Sequence, residues 1–320
     1  MTCVAFPEKD KIGIVFNPEA GDNRKDARRI RQALCHIGET FTVAGPRDME
    51  RALFSLAKSG KSWLLISGGD GTVQMTLSAL FNTRPYSFMP YLCVLPGGTT
   101  NLIAIDIGPK TSQAKALKQL QHMIKKKNQA KVQLVKRHIL KVSSRAGKRY
   151  CMFMGGGLIA KGVCFYERSF RKGKVQGGKG VALTFLRFLV DFLFSSYADP
   201  VEVKIDAMEK VSGKAGLFMA TTLARLFWNM KPFWQARPED PKFTIILKKP
   251  KGLWRLFPYI VSGHAHPELN LQNGYFSCGF SRMELLISSP LSVDGELLHP
   301  RSDRETFLIE KAKELIFWKW

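Results

Sequence analysis

The sequence predicts an α/β + β architecture: an N-terminal three-layer α/β domain on a parallel sheet, then a C-terminal antiparallel domain resembling a β-sandwich. Three observations predict it. Short apolar runs alternate with helical spacings through the first third of the chain. Near residue 132 that alternation stops, and strand-like segments follow one another. Several early apolar runs end in glycine, proline or asparagine, where open parallel sheets bind ligands. At 320 residues the chain exceeds what one core usually serves. Two domains are expected, residues 1–131 and 132–302, with 303–320 completing the first.

Residues 12–16 are a short apolar strand, and 24–37 carry apolar residues at the helical spacing Ala27, Ile30, Leu34 and Ile37. Strand, helix, strand, helix and strand follow at 40–44, 49–58, 63–67, 72–81 and 91–95. Thr111 is placed to cap a helix that aligns Ala114, Leu117, Leu120 and Ile124 on one face. Such alternation builds βαβ units and a parallel sheet. In the second half, strands are expected at 132–143, 148–154, 201–205, 217–221, 243–247, 283–288 and 291–298. Residues 181–194 (VALTFLRFLVDFLF) form the one convincing helix of that half, and 303–320 read as a terminal helix.

The formal charge is +23, divided as +9 over residues 1–133 and +14 over the rest. A field of that sign favours nucleotides, nucleic acid or an anionic membrane face. No RNP-like or helix-turn-helix pattern accompanies it, so nucleic acid is not expected as a partner. The six cysteines form no C-x-x-C pair and read as free thiols, so a zinc site is not expected. His264 and His266 read as loop residues with polar contacts. The first residues lack the apolar core of a signal peptide, and no run reaches the ~18 apolar residues of a spanning helix. A reducing, cytoplasmic location is the expectation.

The chemistry concentrates in three loops. Residues 67–77 read SGGDGTVQMTL after the apolar run Trp63–Ile66. Glycines let a phosphate approach bare backbone, and a helix beginning near Thr72 aims free N–H groups at an anion. The carboxylate of Asp70 would repel phosphate unless a divalent metal lay between, which suggests a nucleotide with Mg²⁺. A tight turn capped by Asp70 is the plainer alternative. A second loop, Pro96-Gly97-Gly98-Thr99-Thr100-Asn101, follows another apolar strand, and a third, Asn17-Pro18-Glu19-Ala20-Gly21, ends the first. None matches the Walker or dinucleotide fingerprints.

Taken together, Asn17-Pro18 with Ala20-Gly21, Gly68-Gly69-Asp70-Gly71-Thr72 and Leu95 to Asn101 resemble the diacylglycerol kinase catalytic-domain family. That family includes soluble bacterial lipid kinases and is related to sphingosine and ceramide kinases. Late in the chain, Asp294-Gly295-Glu296 is similar to its D-G-E motif. The resemblance implies an ATP- and Mg²⁺-dependent lipid kinase. It implies ATP contacts from Asn17, Gly68, Gly69, Gly71, Thr72, Gly97, Gly98, Thr99 and Asn101. It further implies catalytic roles for Asp70, Asp294 and Glu296: Asp294 as general base toward the lipid hydroxyl, Asp70 and Glu296 toward the metal. Leu102 departs from the family, where many bacterial members place Asp, and Leu158-Ile159-Ala160 follow Gly155-Gly156-Gly157 without the usual acid. For Asp294-Gly295 the plainer reading is a hairpin turn, since D-G favours one.

Diacylglycerol is the default acceptor, with a sphingoid base, ceramide or another lipid alcohol close behind. An NAD kinase and a catalytically silent lipid-binding protein are the rivals; P-G-G-T-T-N argues against the first and the retained acids against the second. Residues 161–187 hold seven basic side chains against Glu167, interleaved with Phe165, Tyr166, Phe170 and Phe185. That composition suits peripheral attachment to an anionic membrane. A solvated loop before a core helix is the alternative. The aromatic stretch 227–234 suits either an acyl-chain lining or ordinary packing, and a homodimer is compatible with all of this.

Overall fold

A computed structural model describes residues 2–126, 130–171 and 198–320. They form two compact units, Met1–Arg137 with Glu314–Trp320, and His138–Lys313.

In the first unit, the strand β1 (Thr2–Ala5) precedes β2 (Ile12–Phe16), α1 (Ala27–Cys35), β3 (Glu39–Thr42) and α2 (Pro46–Lys58). Then come β4 (Trp63–Gly68), α3 (Asp70–Thr83), β5 (Tyr91–Pro96), α4 (Leu102–Ile107) and α5 (Gln113–Lys126). The sheet is parallel in the order β3-β2-β4-β5, with Phe16 beside Ser67 and Gly68 beside Pro96. Strand β2 is buried along its whole length, which explains its unbroken IGIVF composition. Helices α1 and α5 cover the sheet through Leu34, Ala116, Leu117 and Leu120. Helix α4 was not anticipated. Its LIAIDI sequence has no polar face to mark a helix, and only Ile105 is exposed.

The second unit follows β6 (Lys131–Ser144), in which the boundary falls. It contains β7 (Gly147–Cys151), β8 (Phe153–Gly157), α6 (Leu158–Arg171), β9 (Asp199–Ile205), β10 (Val211–Thr221) and β11 (Lys242–Leu247). After α7 (Leu253–Ser262) come β12 (Tyr275–Gly279), β13 (Arg282–Ile287), β14 (Leu291–Val293), β15 (Glu296–Leu298) and the first part of β16 (Glu305–Lys319). Its strand pairs are antiparallel, in the order β15-β14-β8-β10-β9-β13-β16, with β11 pairing both β10 and β12. One core gathers Val203, Phe218, Phe243, Met283 and Phe307; a smaller one gathers Leu217, Trp234, Leu256, Ile260 and Tyr275.

Three readings of the sequence need correction. The terminal segment is the strand β16, not a helix. Lys, Glu, Ala and Leu give it high helix propensity, but Phe307, Ile309, Leu315 and Phe317 recur at even spacing and are buried. Tertiary pairing overrides propensity here: Arg282–Ile287 pair its first half, and Phe317 lies beside Leu92 in the parallel sheet. Trp318 is fully buried, edge-on to Phe6 and Trp63. The second unit also has two described helices, α6 and α7, that the reading omitted. The strand expected over 148–154 breaks at Met152. The helix expected over 181–194 and most of the basic stretch before it lie outside the described residues.

Candidate functional site

The three loops of the first unit converge because β2, β4 and β5 are adjacent and parallel, so their carboxyl ends share one sheet edge. The loop of residues 17–21 is tied to that of residues 67–72 by Asn17, whose Nδ2 donates to Thr72 Oγ1 at 3.0 Å and whose backbone N–H donates to Ser67 O at 3.0 Å. The loop of residues 96–101 touches both of the others through glycine. A Cβ built on Gly98 would lie 2.4 Å from Gly69 Cα, and one on Gly21 would lie 2.4 Å from Thr99 Oγ1. Neither approach tolerates a side chain. Gly97 N–H donates to Gly68 O at 3.1 Å, which extends the β4–β5 ladder into the glycines. Asn101, at φ +51°, closes the loop of residues 96–101: Gly98 N–H donates to its Oδ1 and its Nδ2 donates to Gly98 O, both at 2.7 Å. Asparagine is among the few side chains that accept this left-handed backbone.

Two residues that the motifs did not single out hold the loops from beneath. Asn23 is fully buried, and its Nδ2 donates to Asn17 O at 2.7 Å and Ser67 O at 3.1 Å. Gln113, at the start of α5, donates from Nε2 to Asn23 Oδ1 and, at 3.2 Å, to Ser67 Oγ. No local pattern marks a buried amide of this kind. Apart from Asn17, their partners are 44 to 90 residues away in the chain.

Asp70 opens α3, yet its carboxylate serves α4. Oδ2 accepts from Thr100 Oγ1 at 2.8 Å and Leu102 N–H at 3.0 Å, and Oδ1 accepts from Ile103 N–H at 2.9 Å. The side chain satisfies the orphan donors of α4 and places negative charge at its positive end. This departs from the premise that the carboxylate faces phosphate and therefore requires a metal. The charge is turned onto backbone N–H groups, and the first turn of α3 is left to face an anion. Burial pushes the Asp70 carboxyl above its ordinary range, and these hydrogen bonds partly oppose that shift. Leu102 contributes its N–H to Asp70 while its side chain is buried.

In the second unit, Asp294 and Gly295 form the two-residue turn between β14 and β15. They sit at φ +45° and +88°, and Val293 pairs Glu296. This is the hairpin geometry that favours D-G. The Asp294 side chain nevertheless turns inward. It is 3% exposed and accepts from Phe153 N–H at 2.8 Å and Met152 N–H at 3.1 Å, while its own N–H donates to Phe153 O at 2.9 Å. It thus bridges the break between β7 and β8. Met152 O accepts in turn from Thr221 Oγ1 at 2.7 Å. Glu296 is exposed and pairs with Arg149 at 2.9 Å. The triple glycine of β8 answers to packing. A Cβ on Gly156 would lie 2.0 Å from the buried Phe218 ring, and Gly157, at φ +65°, abuts Gly216 O. Among the described residues, no three His, Cys, Asp or Glu side chains cluster as a metal site.

Comparison with known proteins agrees with the loops. Residues 11–135 match the model of the diacylglycerol kinase catalytic domain. The matched segment spans all three loops, so the resemblance carried by their motifs is borne out over residues 11–135. A solved structure of a diacylglycerol kinase from Bacillus anthracis strain Sterne is similar in fold, with TM-score 0.60 at 16% identity, over 98% of this chain and 97% of that one. Two further structures from that organism reach TM-scores of 0.63 and 0.64 at 17% identity, over 98% of both chains. No curated protein matches the sequence.

Proposed function

We propose that the protein transfers the γ-phosphate of ATP to the hydroxyl of a neutral lipid, diacylglycerol by default. The observation that carries this reading is the glycine clasp between Gly69 and Gly98, inside the segment that matches the kinase domain. Phosphoryl transfer asks a protein mainly for positioning and charge neutralisation. The loops of Gly68 to Thr72 and Gly97 to Thr99 supply glycine backbone without side chains and a helix N-terminus, and Asn17 and Asn101 keep those loops in register.

Among the described residues the donor set does not form a resident metal cage. It fits a Mg²⁺ that arrives with the nucleotide and keeps phosphate and water ligands, with at most one protein carboxylate. Such an ion would offset charge on the phosphates. Asp70 holds three hydrogen bonds, which leaves one lone-pair direction on Oδ1. Glu296 is engaged by Arg149, so its part in this reading is to hold a water network at the start of β15.

Asp294 is the proposed general base. Two backbone N–H groups fix its orientation, and a carboxylate is the kind of side chain that takes the proton of an alcohol in such a transfer. Peripheral attachment at a cytoplasmic membrane face completes the reading; no described helix is long and apolar enough to cross a membrane. Incubation with radiolabelled ATP and a panel of lipid alcohols in mixed micelles tests it. A labelled phospholipid from diacylglycerol, lost in Asp294→Asn, is the expected result. Label transferred to NAD but to no lipid refutes it.

A further inference from the structure

Helix α7 buries Leu256 and Ile260 against Leu217, Trp234, Ile246 and Tyr275. Its outer face presents Trp254, 69% exposed, with Pro258 and Tyr259 also exposed. A tryptophan left in water on a helix that buries only Leu256 and Ile260 calls for a second environment. Directly before the helix runs the turn Lys248-Lys249-Pro250-Lys251-Gly252, with Lys249 at φ +54° and Gly252 at φ +67°. Three hydrogen bonds fix that turn. Lys248 N–H donates to Lys214 O at 2.8 Å, Lys251 N–H to Asn273 O at 2.9 Å, and Tyr275 Oη to Lys251 O at 2.9 Å. The last two bring the turn against residues 271–275, where Leu271 is also exposed. At the other end of α7, Lys231 N–H donates to Val261 O at 2.8 Å, which ties in the loop bearing Trp228, 63% exposed.

Residues 248–259 hold four basic side chains and no acidic one. Three of the four precede α7, at the positive end of its dipole, where cations oppose the helix. The placement gains nothing for the helix but suits an external anion. Tryptophan beside lysine, on the outer face of an amphipathic helix, is the composition that lies in the headgroup layer of a bilayer.

We propose that this face, with Trp254, Lys249 and Lys251 at its centre, docks the second unit on an anionic lipid bilayer. It is a different stretch of chain from residues 161–187, where sequence composition alone places membrane contact. The inference rests on the lipid kinase reading for its purpose, since the acceptor would lie in that bilayer. Its physics depends only on these residues.

The test is co-sedimentation of the full chain with phosphatidylcholine vesicles, with and without phosphatidylglycerol. Wild type is expected to bind only the anionic vesicles, and less tightly as salt rises. The exposed triple variant Lys249→Glu, Lys251→Glu, Trp254→Ser should lose at least tenfold in partitioning with an unchanged Tm. Brominated lipid should quench tryptophan emission in wild type and quench Trp254→Phe less. Binding of the triple variant at wild-type strength overturns the proposal. So does binding that is lost in Arg171→Glu, Lys172→Glu, Lys174→Glu but kept in the triple variant, or equal binding to uncharged vesicles. Phosphorylation of a short-chain diacylglycerol in detergent micelles separates the two readings. If wild type phosphorylates no lipid alcohol yet binds vesicles through Trp254, the kinase reading fails and the docking face stands. If the triple variant keeps micellar activity but loses vesicle binding, both stand.

Discussion

Gly98→Ala tests the loop clasp directly. The added Cβ would lie 2.4 Å from Gly69 Cα and 3.2 Å from Asn101 Oδ1, and ordinary contact begins near 3.4 Å. The obstacle at Gly69 is backbone, so no rotamer relieves it. The loops must part by about 1 Å, the scale of misplacement that can cost a reaction ~100-fold. Overpacking of this kind also costs typically ~1–3 kcal/mol of stability. The two effects are separable. Urea unfolding of Gly98→Ala should show a loss in that range, and ATP-dependent lipid phosphorylation should fall by about 100-fold, or ~2.7 kcal/mol in the barrier. Gly45→Ala is the control: nothing lies within 4 Å of the new Cβ, so both quantities should stay near wild type. A Gly98→Ala protein with wild-type kcat and nucleotide affinity would refute the idea that contact between these glycines shapes the site.

Asp70→Asn sets an amide NH₂ among three donors, leaving at least one of Thr100, Leu102 and Ile103 unsatisfied; a loss of ~1–3 kcal/mol in urea unfolding is expected, and less than ~0.5 kcal/mol would contradict the capping role. The same residue has a pH signature. Its carboxyl is raised in the folded state, so its contribution is fully present below about pH 3.8 and declines as pH rises through the folded value; Asp70→Asn should flatten the wild-type stability curve above that pH. Gly156→Ala should destabilise by ~1–3 kcal/mol through collision with Phe218, and Phe218→Leu should recover part of that loss, so strictly additive effects in a double-mutant cycle would exclude the collision. Asp294→Asn should abolish turnover and lower Tm by a few degrees, because Met152 and Phe153 lose a charged acceptor; near-normal kcat would remove Asp294 as the base.

Local sequence was enough to determine the first unit's frame. Ile12–Phe16 is a strand because five consecutive apolar residues can be buried on both faces of a parallel sheet, and the glycines after Ser67 and Leu95 mark where the sheet edge turns to backbone chemistry. Asp294-Gly295 announced its hairpin, since few other dipeptides accept two positive φ angles in succession. Only the tertiary structure decided what the acids touch and what lies beneath the loops. Asp70 reads as a metal carboxylate until α4 is seen docked against it, and α4 is invisible as a periodic pattern because almost all of it is buried. Asn23 and Gln113 become a network through partners tens of residues away. The last strand reads as a helix because propensity is a property of neighbours in the chain, whereas its state was set by Arg282–Ile287 on one side and Leu92 on another. Contacts between residues close in sequence leave a trace in composition and spacing; those between distant residues are chosen by packing, where burial energy exceeds the few tenths of a kilocalorie that propensity contributes per residue.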